Sequence, residues 1–152
     1  MHHLVGKNIF GTLSRMLPPV RLISSTGEEA WSKMQYLLLI YGNENHFNQM
    51  SPAEQEKILQ EYGELSKSIA NSGHLRGGNE LDRISKAKTV RVRGGKRTVT
   101  DGPFAETKEQ LGGYYLVEAK DLEEALVLAA RIPSARWGSI EVRPIIPHEI
   151  PK

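Results

Sequence analysis

Residues 35–41 read QYLLLIY, seven residues in a row with a single amide at their leading edge. A run this short, closed by Gly42-Asn43, has the length of a strand. Apolar side chains at both parities mean that neither face of that strand is built for water. This constrains the whole chain, because only two helical patterns follow to supply cover. The first begins at Ser51-Pro52-Ala53-Glu54, where Ser51 can cap, Pro52 suits the first turn and Glu54 completes a capping box. It is expected to run to about Ser72 and stop at Gly73, with Ile58, Tyr62, Leu65 and Ile69 as its apolar stripe. The second opens at an Asp121 cap, turns Leu122, Leu126, Ala129 and Ala130 inward, and ends at Pro133. Two helices cover one face of a sheet. The other face needs a different seal, and a second copy of the chain is the simple answer, so a homodimer is expected.

Five further strand patterns complete the order. His74–Leu81 is one, interrupted by Gly77-Gly78. Thr89–Arg93 and Lys96–Thr100 form a hairpin about Gly94-Gly95, which supply the positive φ of a primed turn. That register sets Val90 opposite Val99 and Val92 opposite Arg97, an apolar face on which Arg97 must snorkel. Gly113–Ala119 and Ser139–Arg143 are the last two, the latter with Ile140 and Val142 on one side. Strand, helix, strand, hairpin, strand, helix, strand is the split pattern of a ferredoxin-like sandwich with an inserted hairpin, an α+β fold.

The chain has 152 residues, 39% apolar and 25% charged, which fits one globular domain with a real core. Residues 34–148 hold all the strand and helix patterns. Residues 1–33, with Pro18-Pro19 and Ser24-Ser25, read as a loosely ordered extension, and Met34 reads as an alternative natural start. A net charge of +2 neither demands nor excludes a polyanion. Cysteine is absent, which removes disulfides, thiolate chemistry and cysteine-ligated metals. No apolar run is long enough to span a bilayer, so no membrane is expected and the cytoplasm is the default location.

The connector Thr100–Ala119 carries the unusual chemistry. Asp101-Gly102-Pro103 is a strong turn, Phe104 is expected as a buried peg, and Glu106–Leu111 has room for one to two helical turns ended by Gly112-Gly113. Asp101 is a candidate general base or ligand-orienting group, beside its ordinary role in an Asx turn. His74 can exchange protons near neutrality, beside its ordinary role as a satisfied strand residue. If their strands are neighbours, Asp101 would orient the His74 imidazole as an acid–base pair. Phe104, Glu106, Lys108, Tyr114 and Arg76 are the candidate contacts for a small-molecule ligand, Arg76 as an anion holder and Tyr114 at the rim of a cavity. Lys86, Lys88, Arg91, Arg93, Lys96 and Arg97 make the hairpin basic, but strand alternation explains Arg91 and Arg93 and no aromatics interleave, which argues against nucleic acid. The scattered histidines offer no metal-ligand spacing, and no cofactor motif is present.

DGPFAETKEQLGGYYLVEA, preceded by KTVRVRGGKRTVT and followed by ARIPSARWGSIEVRPI, resembles the DGPF branch of the YCII-related proteins. MQYLLLIYGNE and SGHLRGGNEL are similar to it too, so the likeness covers about Met34–Pro147. It implies a dimeric α+β barrel, ferredoxin-like in each subunit, and the association of some members with extracytoplasmic-function sigma factors. On it rest two expectations: a ligand-binding protein, with catalysis open, whose site lies between His74 and the Asp101 loop; or a non-enzymatic regulatory accessory. The wider superfamily's proposed His–Asp pair on the first helix does not carry over, since Tyr62 stands near the His position and Asn71 near the Asp position.

Overall fold

A computed structural model describes residues 33–148 in full and the backbone of residues 21–23 and 29–31. Strands β1 (Arg21–Ile23) and β2 (Glu29–Trp31) pair antiparallel with each other. The loose extension expected over residues 1–33 falls largely outside the described residues. Residues 33–148 form an α+β unit: β3 (Met34–Gly42), α1 (His46–Gln49), α2 (Pro52–Asn71), β4 (Leu75–Glu80), β5 (Lys88–Arg93), β6 (Lys96–Asp101), β7 (Gln110–Ala119), α3 (Leu122–Ala130) and β8 (Ser139–Pro144).

Local chemistry sets the helix ends. Ser51 Oγ accepts from the Glu54 amide, and a Glu54 carboxylate oxygen accepts from the Ser51 amide at 2.8 Å, the reciprocal capping box expected of that motif. Gly73, at φ +75°, carries the chain out of α2. Asp121 Oδ1 accepts from the Glu124 amide at 2.9 Å and starts α3.

The sheet runs β4-β7-β3-β8 with every neighbouring pair antiparallel. β3 and β4 flank α2 in the chain yet are parted in the sheet by β7. β7 and β8 flank α3 and are parted by β3. On one face Tyr36 and Leu38 of β3 and Val117 and Ala119 of β7 pack with Leu65 and Ile69 of α2 and with Leu128 and Ile132. Here the structure corrects the expected inner face of α3. Of the four residues expected there, Ala129 is buried, but Leu122 and Leu126 are 39% and 43% exposed and Ala130 is exposed too; Ala125 and Leu128 are buried in their place. Two alanines at this contact let the helix backbone approach Val117 and Ala119, which larger side chains would hold off.

Among the described residues β5 and β6 pair only with each other, in the expected register: Val90 opposite Val99, Val92 opposite Arg97. Gly94 and Gly95, at φ +56° and +74°, make the primed turn. The apolar face of this hairpin is in solvent, with Val90, Val92 and Val99 at 58%, 57% and 52% exposure.

The connector departs from expectation. No helical turn forms at 106–111; β7 already begins at Gln110. Gln110 Nε2 donates to the Thr107 carbonyl at 2.6 Å, so a side chain closes the turn that a helix was expected to make. Gly112-Gly113 stops no helix. It lies inside β7, beside an irregularity in the β3 pairing, and a Cβ on Gly113 would stand 2.8 Å from the Asn79 carbonyl oxygen. Phe104 is 81% exposed rather than a buried peg, in a stretch, 102–106, that is itself neither strand nor helix. Gly77-Gly78 has a packing reason: a Cβ on Gly78 would stand 2.9 Å from the Tyr115 ring.

Candidate functional site

Among the described residues, no helix lies over the second face of the sheet. Alternation puts Leu37, Leu39 and Tyr41 of β3 there, opposite Leu116, Tyr114 and Leu111 of β7 and opposite Arg143, Glu141 and Ser139 of β8. These apolar side chains are half-buried by their neighbours alone. Polar groups are tied along the same face. Arg76 Nη2 donates to Glu118 at 2.6 Å, and Asn79 Nδ2 donates to the Tyr114 hydroxyl at 3.0 Å. The hydrogen bond and charge of Arg76 hold the Glu118 carboxyl below its ordinary value. Tyr115, one residue on, points the other way and bonds Ser66 Oγ at 2.8 Å through its hydroxyl.

At one end of this bare face lies a cleft of about 720 Å³, lined by Tyr41, Thr107, Lys108, Glu109, Ser139, Ile140 and Glu141. It forms because the connector folds back beside the start of β8, where Ser139 Oγ donates to a Glu109 carboxylate oxygen at 2.8 Å. Glu141 is engaged by Arg143 Nε at 3.6 Å. Lys108 makes no ion pair among the described residues. The cleft therefore offers an aromatic wall, two hydroxyls, one uncommitted ammonium and two occupied carboxylates. A second cleft, about 410 Å³, lies between α2 and residues 130–136, where Arg136 meets Glu61 at 2.5 Å and Arg131 donates to Ser68 Oγ at 2.7 Å.

Of the sequence candidates, Lys108 lines the larger cleft and Tyr114 lies on the bare face that leads to it. Phe104 and Glu106 are exposed on the connector, and Arg76 is committed to Glu118. Asp101 closes the hairpin: its carboxylate takes the Lys88 ammonium. His74 bonds Ser72 Oγ through Nδ1 at 2.7 Å and faces Glu124 Oε1 with Nε2 at 3.4 Å. Glu124 also accepts from the Lys120 amide at 2.7 Å; this bond and then His74 hold its carboxyl below the ordinary value. No hydrogen bond or ion pair among the described residues joins His74 to Asp101. Tyr41 and Ser139 were not singled out from the sequence. Their signal was parity, since both sit at odd positions of neighbouring strands and so share a face.

Two comparisons place the chain among known proteins. The family model for the YCII-related domain matches residues 34–149. An uncharacterized protein of Rhizobium meliloti (strain 1021) is 37% identical over 123 residues, which covers 78% of this chain and 99% of that relative.

Proposed function

The chain belongs to the YCII-related domain family, and from that premise we propose that it works as a homodimer binding a small anionic molecule at the seam between two sheets. Each subunit is, on this reading, a ferredoxin-like sandwich of the DGPF branch. The strand order β4-β7-β3-β8, with both β-α-β units split by an antiparallel strand, supports it. Sheet closing on sheet makes the α+β barrel, and the leucines at 37, 39 and 116 supply the apolar contact.

The observation that carries the ligand is the cleft beside the connector. Its ammonium, Lys108, has no carboxylate partner among the described residues, and a ligand's carboxylate or phosphate would supply one. Tyr41 would bear on the ligand's apolar body, and the hydroxyls of Thr107 and Ser139, which donate to Glu109 in the free protein, would turn to its polar edge. His74 and Asp101 enter this reading as braces, one between β4 and α3, the other at the base of the hairpin. The alternative, a regulatory accessory beside a sigma factor, asks for an exposed apolar patch apart from the dimer surface; the exposed hairpin valines Val90, Val92 and Val99 are what would supply one.

A thermal-shift screen of small carboxylates and phosphates tests the site. A true ligand at one hundred times its Kd stabilises by about 2.7 kcal/mol. That gain should vanish in Lys108→Ala and persist in His74→Ala. Stabilisation lost in His74→Ala or Asp101→Asn and kept in Lys108→Ala would move the site to the other pair and end this proposal.

A further inference from the structure

We propose that the cleft between α2 and residues 130–136 binds a free α-amino acid with an apolar side chain, its carboxylate on Arg131 and its ammonium on Glu64. The site lies on the helical side of the sheet and does not depend on the seam reading above.

Spacing along α2 places the two charges. Gln60, Glu64 and Ser68 recur every four residues, so they form one ridge of the helix, with neighbouring Cβ atoms about 5–6 Å apart. Each end of the ridge pins one charge. Gln60 Nε2 donates to Glu64 Oε1 at 2.9 Å, and Arg131 Nη2 donates to Ser68 Oγ at 2.7 Å. The Arg131 guanidinium therefore stands about one helical turn from the Glu64 carboxylate, and both line the cleft. Neither makes an ion pair among the described residues.

The other two charges in the cleft are already matched. Arg136 meets Glu61, and its guanidinium carbon lies 5.3 Å from the centre of the Trp137 ring, so it is held on two sides. Leu65, Ile132 and Pro133 are buried and make an apolar floor. The Tyr62 hydroxyl and Ser134 Oγ, 2.5 Å apart, fasten the second wall to α2, so the cleft is formed before a ligand arrives.

These features select one ligand chemistry. A simple anion would satisfy Arg131 and be repelled by Glu64; a simple cation would do the reverse. An α-amino acid carries both charges on one carbon. With a charge-assisted hydrogen bond of about 2.8 Å at each end, it bridges a gap of one helical turn. A volume of about 410 Å³ is near the small end of ligand sites, which suits a single amino acid whose side chain lies toward Leu65 and Ile132. Glu64 and Arg131 are exposed, so binding is modest and weakens as salt is raised.

The test is a titration of the ¹⁵N-labelled full-length chain with L-leucine, followed by amide chemical shifts. Saturable shifts are expected over residues 60–68 and 130–136, with a Kd in the millimolar range. N-acetyl-L-leucine lacks the ammonium and L-leucinamide lacks the carboxylate; each should bind about tenfold more weakly. Glu64→Gln should weaken leucine about tenfold without weakening N-acetyl-leucine, and Arg131→Met should weaken leucine about tenfold without weakening leucinamide. Both variants should keep the wild-type circular dichroism, since both side chains are exposed. The absence of saturable shifts, equal binding of leucine and N-acetyl-leucine, or either variant binding leucine like wild type would overturn the site. Shifts that gather at residues 107–109 and 139–141 would assign leucine to the seam cleft and overturn it too. The seam reading is judged separately, by anions that carry no ammonium.

Discussion

Gly138 offers the sharpest test of the packing around the larger cleft. It precedes β8, and its amide donates to the Ser134 carbonyl at 2.8 Å. A Cβ added there would stand 2.1 Å from the Tyr41 carbonyl oxygen and 3.2 Å from Gly42 Cα. Its backbone is not in the left-handed region, so the penalty of Gly138→Ala comes from space alone. The obstructing atoms are backbone and cannot rotate away. To regain 3.0 Å, β3 and β8 must part by about 0.9 Å at the end of their ladder, where Tyr41 faces Ser139. Overpacking of this kind costs about 1–3 kcal/mol, and a rigid neighbour puts it at the upper end. A weakened hydrogen bond at the strand end adds up to about 1 kcal/mol. The expected loss is about 3 kcal/mol, or a fall of roughly 10 °C in Tm for a domain of this size. Urea unfolding of the purified variant at fixed protein concentration measures it. Gly63→Ala is the control: it lies inside α2 with nothing within 4 Å, so alanine should stabilise by about 0.8 kcal/mol. A Gly138→Ala protein within about 0.5 kcal/mol of wild type would refute the argument, and with it the close β3–β8 contact that shapes the cleft.

Leu38→Ala, at a side chain 1% exposed between the sheet and the helices, should cost about 2–5 kcal/mol in the same assay, and a cost under 1 would mean the site collapses freely. Asp121→Ala removes the cap of α3 and should cost about 1 kcal/mol, with Asp121→Asn largely restoring it. The Glu124 carboxyl is held below its ordinary 4.5 in the folded chain, so its contribution is complete above that value and fades as pH falls through the lower, folded one. Unfolding midpoints measured from pH 6 to pH 3 should therefore fall less steeply in Glu124→Gln than in wild type; parallel curves would show that the carboxylate is not held by its partners.

What could be read from the chain in advance was local. The capping box at Ser51 and Glu54 lies within four residues, and the Gly94-Gly95 turn dictates its own register, so both needed no knowledge of the rest. The order of strands and helices followed from periodicity in the same way. The connector was misjudged because its stretch at 106–111 has helical propensity, while β3 offers Gln110 and Leu111 a paired edge that outweighs it. Leu122 and Leu126 were misjudged because apolar character alone cannot say which side of a nine-residue helix meets a sheet, and here the small residues do. The cleft joins positions 41, 107–109 and 139–141, too far apart in the chain for any short motif to announce. The His74–Glu124 contact likewise spans fifty positions and left no trace in spacing.

The Ala87–Gly102 bond has a consequence for how such a chain can vary. That backbone link closes a loop of fourteen residues, which the Thr89 hydroxyl ties once more to the Gly102 carbonyl and which pairs with no further strand among the described residues. Excising 88–101 would leave two ends already in register to be joined by a short turn, with the sheet and helices undisturbed. The hairpin can therefore lengthen, shrink or change its residues from one relative to the next at little cost to folding, as an interchangeable fitting on a constant frame.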